Sequence, residues 1–272
     1  DAYFEDTEAG NQRLTGTLGL ERRMSERSTL SLNATAERVE FDDESVSSNY
    51  DRQSGYLEYA MQGARTNLSV RAGGTVLHDY GDTTNGPLLN LTVERQVTAR
   101  STLTLNAGTE LTDSADALRR EQQIGGIDLD GGNPIVSTDQ FQSDFVSLAW
   151  ALEGARTTLD LAVDLRSEDY ERDTTFNRDA IGATGSLVRR LSARLSWRLY
   201  GGWSKQDFDR SDVDFDEWNA GTGFDWLLTE TVGVTLTGER FEGSGDTAFG
   251  TGLRDYTENR VTVRLTYTPR RR

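Results

Sequence analysis

The sequence predicts an all-β protein: a transmembrane antiparallel up-and-down β-barrel of about 12–14 strands, fourteen favoured, forming a single domain over residues 1–272. Three observations predict it. The chain repeats one supersecondary unit, a half-strand, a tight polar turn and a half-strand. ERRMSERSTLSL at 21–32 recurs as ERQVTARSTLTL at 94–105, and more loosely as VRRLSARLSWRL at 188–199 and DWLLTETVGVTL at 225–236. A second version reads YAMQGARTNLSV at 59–70 and WALEGARTTLDL at 150–161. Self-similarity of this kind marks a repeated β-hairpin. The flanking runs alternate apolar and polar residues almost throughout, the period of a strand with two different faces. The connections also alternate, short turns at one end and longer acidic links at the other, as in outer-membrane barrels with short periplasmic turns and long outer loops.

Thirteen strands can be placed in order, at 11–24, 28–40, 54–63, 66–79, 87–97, 101–112, 141–153, 156–168, 179–190, 194–206, 216–228, 231–242 and 257–268. Most are longer than the roughly 5–6 residues of a soluble strand and fit a tilted membrane span of about 9–11 residues with polar rims. Bacterial single-chain barrels have even strand counts, so a short strand within 1–7 or one preceding Asp1 is expected to make fourteen. No apolar run approaches the roughly 20 residues of a membrane helix. With only 35% apolar residues the chain resembles a soluble one in composition. A barrel strand, however, exposes only every second residue to lipid.

The period of two assigns the faces. The lipid-facing set includes Leu14, Leu18 and Leu20, Leu30 and Leu32, Leu57, Leu68 and Val70, Leu89 and Leu91, Leu103 and Leu105, Val146 and Leu148, Leu159, Leu161, Val163 and Leu165, Leu195 and Leu199, Val232, Val234 and Leu236, and Val261, Val263 and Leu265. Tyr59, Trp150, Trp197, Trp226 and Tyr267 fall in this register near short turns or the chain end, and are expected to form the periplasmic aromatic belt. Trp203 and Trp218 are expected in the opposite belt. Arg22, Arg95 and Arg189 also lie in lipid register beside short turns, where their stems should snorkel to the headgroups. The other face is polar and small. Its charged members Arg71, Asp160, Asp164, Arg166, Arg198 and Arg264 are the expected lumen-lining residues.

Composition narrows the function. The net charge of −16 is concentrated in the links DDESVSSNYD (42–51), SEDYERDTTFNRD (167–179) and QDFDRSDVDFDE (206–217), which argues against a nucleic-acid partner. These links are solvated loops or a cation-attracting vestibule. There is no cysteine, hence no disulfide framework or thiolate metal site. The one histidine, His78, lies in apolar register near an outer strand end, a poor place for a general base. No catalytic residue is assigned, and no cofactor motif is present. Asp128 and Asp130, in the longest link (113–140), are weak calcium candidates, as are Asp209, Asp212, Asp214 and Asp216, but neither group completes an EF-hand pattern.

The turn strings ERRMSERSTLSL and ERQVTARSTLTL, the alternating hairpins and the last strand ENRVTVRLTY resemble β-barrel porins of Gram-negative bacteria, including the type associated with exopolysaccharide and PEP-CTERM sorting loci. Asn259–Tyr267 resembles the terminal assembly signal of such proteins, although TPRRR follows the closing aromatic. The resemblance implies residence in the bacterial outer membrane, among lipid and lipopolysaccharide, after insertion by the barrel-assembly machinery. It also implies a porin-like channel for small solutes. A second expectation is a secretion or scaffold barrel whose lumen is plugged or holds an envelope protein or polysaccharide partner. A third is a non-membrane β-rich surface or adhesin module.

Overall fold

A computed structural model describes residues 2–5, 11–41, 49–79, 82–113, 140–172, 174–209, 214–245 and 255–268. Thirteen long strands and one short one form a single antiparallel sheet in strict sequence order: β1 (Ala2–Glu5), β2 (Asn11–Ser25), β3 (Ser28–Phe41), β4 (Tyr50–Gln62), β5 (Thr66–Asp79), β6 (Asp82–Thr98), β7 (Ser101–Asp113), β8 (Gln140–Glu153), β9 (Thr157–Tyr170), β10 (Arg178–Arg190), β11 (Leu195–Phe208), β12 (Asp214–Leu227), β13 (Val232–Gly245) and β14 (Tyr256–Tyr267). This is the up-and-down meander expected, and β1 supplies the short strand foreseen within 1–7. Among the described residues, β14 pairs only with β13, and β1 covers only the Asn11–Leu14 end of β2.

The repeated sequences are repeated turns with a common hydrogen-bond chemistry. In the first type a hydroxyl accepts the backbone N–H two residues on: Arg27 N to Ser25 Oγ, Arg100 N to Thr98 Oγ1, Arg194 N to Ser192 Oγ and Thr231 N to Thr229 Oγ1, each 3.2 Å. Such local bonds are why Ser and Thr favour turns. In the two closest copies the hydroxyls also pair, Ser25 with Ser28 at 2.8 Å and Thr98 with Ser101 at 2.9 Å, and both strands carry a bulge just before the turn. The second type closes through glycine: Gly63 N to Thr66 O and Gly154 N to Thr157 O, each 2.7 Å. A Cβ on Gly63 or Gly154 would lie 2.8 or 2.9 Å from that same threonine carbonyl oxygen, so the turn requires glycine.

The register places the expected lipid-facing residues opposite one another: Leu20 with Leu32, Leu32 with Leu57, Leu68 with Val93, Leu105 with Leu148, Leu148 with Val163, Leu187 with Leu199, and Phe224 with Leu236. Leu20, Leu32, Leu57, Leu148, Val163, Leu199, Phe224 and Leu236 are solvent-exposed in the isolated chain, and the others half-buried. A broad aliphatic band left outside is the lipid-facing wall of a membrane barrel. The polar face is the concave one, because side chains from strands far apart in the sheet meet across it. Asp79 at the end of β5 pairs with Arg172 just past β9, and Thr84 of β6 donates to the neighbouring Glu171.

Aromatic rings on the concave face are accommodated by glycine on the neighbouring strand. Tyr56 faces Gly73, Phe145 faces Gly108 across β7 and β8, Tyr200 faces Gly221, and Tyr256 faces Gly243. A Cβ on Gly221 would meet Tyr200 Cζ at 2.5 Å, and one on Gly243 would meet Tyr256 Cε1 at 2.4 Å. The Phe145, Tyr200 and Tyr256 rings therefore lie down along the wall, in the space a side chain would fill.

Three features differ from the sequence expectation. β4 begins at Tyr50, within the stretch read as the acidic link 42–51. β6 begins at Asp82, so 82–86 is strand and Pro87 lies inside it. There β6 has not yet met β7, whose pairing begins at Leu89 with Thr109, a setting that suits a residue without an N–H. Above that point the outer end of β7–β8 bends inward. Leu111 and Gln142, in outward register, lie against the concave side of Gly86, where a Cβ would be 3.0 Å from Leu111 Cβ and 2.8 Å from Gln142 Oε1. Leu111 is thereby buried with Val39, Tyr50 and Leu77.

Candidate functional site

The candidate site is the concave face, and it changes character along its length. At the short-turn end its charges pair locally and stay wet. Arg198 Nε donates to Asp225 Oδ2 at 3.1 Å, and its Nη2 contacts both carboxylate oxygens at 2.5 Å. Thr235 Oγ1 donates to Asp225 Oδ1 at 2.8 Å. Arg71 Nε donates to Glu58 Oε2 at 3.2 Å and its guanidinium lies 5.8 Å from the Tyr56 ring centroid. The Arg198 and Asp225 side chains keep 37% exposure each and Arg71 48%, so water reaches them.

At the other end the same face is packed. Glu37 takes Arg13 and Arg52, the latter at 2.5 Å. Asp113 takes Arg13 Nη2 at 3.0 Å and the Tyr50 hydroxyl at 2.5 Å. Beside this cluster Arg172 pairs with Asp79. A third group runs from Arg178, which donates to Glu168 and Gln206 at 2.9 Å each, to Arg166, 3.6 Å from Glu168 and 3.9 Å from Asp164. Phe141 stacks on Tyr170 at 4.8 Å between centroids. Buried charges persist only when paired, and each of these faces an opposite charge, although Asp164 Oδ1 makes no hydrogen bond. The Arg13–Asp113 and Tyr50–Asp113 contacts tie the β7 tip to the concave face of β2 and β4.

All six expected lumen residues, Arg71, Asp160, Asp164, Arg166, Arg198 and Arg264, lie on the concave face by register. The structure does not gather them into one cluster. Asp160 accepts from Ser186 at 3.3 Å, far from Arg71 in the sheet order. The seven aromatic positions Tyr59, Trp150, Trp197, Trp203, Trp218, Trp226 and Tyr267 lie on the convex face, with Trp203 directly opposite Trp218. Arg22, Arg95 and Arg189 are on that face too, opposite Leu30, Leu103 and Trp197. His78 is exposed on β5 and bonds Thr83 Oγ1 through Nδ1 at 3.0 Å. Asp128, Asp130 and Asp212 lie outside the described residues. Asp214 is 3.6 Å from Lys205 Nζ, and Asp216 accepts from Trp203 Nε1 at 2.9 Å. Sequence reasoning missed the outer cluster. Its members are up to 100 positions apart, and Asp113 and Tyr50 sat in stretches read as links. The signal available was Tyr50 and Arg52 sharing one face of an extended β4.

No protein-family model matches the chain, and no curated protein matches it. Its fold matches known structures. The siderophore receptor PirA of Pseudomonas aeruginosa aligns with TM-score 0.58 and 15% identity over 95% of this chain and 48% of the receptor. The chain has the outer-membrane β-barrel fold. The copper transporter OprC aligns with TM-score 0.50 and 9% identity over 94% of this chain and 57% of that one. OmpT, an outer membrane protein of Vibrio cholerae, aligns with TM-score 0.46 and 9% identity over 98% and 93% of the two chains. With its exposed aliphatic band, this barrel belongs in the bacterial outer membrane.

Proposed function

We propose that the barrel is a porin-like channel for small solutes, without catalytic activity, and that its narrowest point is the outer Arg13–Asp113 crossing. The observation that carries this reading is the wet polar wall of the short-turn half, where paired charges line a concave face and remain accessible to water. A wall built only to be filled would bury them, as the outer half does. Arg71, Asp160, Arg198 and Arg264 are the charges a passing solute meets, and Asp164 and Arg166 line the packed outer part of the same wall. The acidic outer links favour cations at low ionic strength, and the preference fades as salt screens them. His78 faces outward and the Asp160 and Asp164 carboxylates sit in the channel wall, which supports a non-catalytic role.

The buried outer cluster favours a second reading, a scaffold barrel with an occluded or partner-occupied lumen, of the kind tied to polysaccharide export. Planar bilayers separate the two. The channel reading expects discrete conductance steps from the purified chain, and larger ones from Asp113→Ala. No conductance from either protein would rule out the channel and leave the scaffold.

A further inference from the structure

The concave wall carries a recess of about 490 Å³ over β7–β12, within the roughly 300–1,000 Å³ of small-molecule sites. It arises from two neighbouring rows of cross-strand partners. One row runs Thr104, Ala149, Ala162, Thr184, Gly202 and Asn219; its neighbour runs Thr102, Ala151, Asp160, Ser186, Tyr200 and Gly221. Alanine and glycine at the centre of these rows leave a depression, and hydroxyls, an amide, a carboxylate and one aromatic ring surround it. Tyr200 is fixed: its ring occupies the Cβ position of Gly221, and its hydroxyl donates to Glu239 across β12. One face of a rigid ring is thus presented beside the recess. Asp160 Oδ2 takes the Ser186 hydroxyl. The side chains of Thr102, Thr104, Thr184 and Asn219 have no protein hydrogen-bond partner among the described residues.

We propose that this recess binds a small neutral polyol or sugar. The C–H face of such a ring packs on Tyr200, because the aromatic face is the negative end of a quadrupole. Its hydroxyls need acceptors and donors together: Asp160 and Ser186, whose own proton goes to Asp160, accept, while Thr184 and Asn219 both donate and accept. An anion would need a free cation, and the nearby Arg198 is already held by both oxygens of Asp225. The proposal deepens the channel reading by naming its solute class, and it requires only that water reach the recess.

The test is saturation-transfer-difference NMR on the detergent-solubilised chain with glucose and sucrose, with tetramethylammonium chloride as the competing probe. Tyr200→Leu removes the platform, Ala162→Phe fills the recess, and Asn219→Ala removes one polar group without touching the Tyr200–Glu239 bond. Transfer to the sugar C–H protons is expected for the parent protein. It should fall at least five-fold in the first two variants and less in the third, with heat-modifiable gel mobility confirming that each is folded. Equal transfer in all folded variants, no transfer in the parent, or transfer to tetramethylammonium alone overturns the proposal. Binding in detergent is independent of conductance. Sugar binding without conductance therefore defeats the channel reading and leaves the site, whereas conductance without binding does the reverse.

Discussion

Single residues decide how closely the strands and turns of this sheet fit. The Tyr200 ring fills the space over Gly221, so a methyl there must displace it and break its bond to Glu239. Overpacking of this kind costs about 1–3 kcal/mol. Gly221→Ala should lower the urea unfolding midpoint by a corresponding amount, while Gly238→Ala, whose added Cβ meets nothing within 4 Å, should not. The turn hydroxyls act at the same scale. Ser25→Ala loses the acceptor for Arg27 N–H and the partner of Ser28, and should cost about 0.5–1.5 kcal/mol in the same titration. The turns were legible in the sequence because each is a contiguous string. The tyrosine–glycine pairs were not, since Tyr200 and Gly221 are brought together only by the β11–β12 register.

At the scale of the element, alternation specifies both strand and face, because a one-residue slip would move every leucine to the wet side. That is why the thirteen long strands and the outward set could be read in advance, from Leu14 to Leu265. Val163→Arg, opposite Leu148 within the aliphatic band of β9, should cost about 2–4 kcal/mol in lipid, while Thr158→Arg on the concave face should be tolerated. Folding yield into vesicles measures both; equal loss would mean that the two faces of β9 do not differ. The β6–β7 separation was not legible. It depends on Gly86 leaving room for Leu111 and Gln142, a packing relation between strands with no local signature. The outer cluster follows from that bend, so it too escaped the sequence reading.

For the whole molecule, the governing constraint is that backbone groups in lipid find hydrogen-bond partners. Among the described residues the meander satisfies this within β3–β13, and β14 and the part of β2 beyond Leu14, each paired on one side, are where the constraint presses hardest. In bilayers the amides of Val261 to Leu265 and of Val232 to Leu236 should exchange equally slowly; rapid exchange of the first set alone would show an edge open to water. The same constraint bears on the central claim, that one face of this sheet meets lipid and the other a watery bore. The chain has no cysteine, so single nitroxide labels can be placed along β9 without background. The most direct measurement is their accessibility to oxygen and to a water-soluble nickel chelate at positions 158 to 165 in lipid vesicles. Strict alternation is expected, with Leu159, Leu161, Val163 and Leu165 favouring oxygen and Thr158, Asp160 and Ala162 favouring the chelate. Chelate access at both sets, or no alternation, would contradict it.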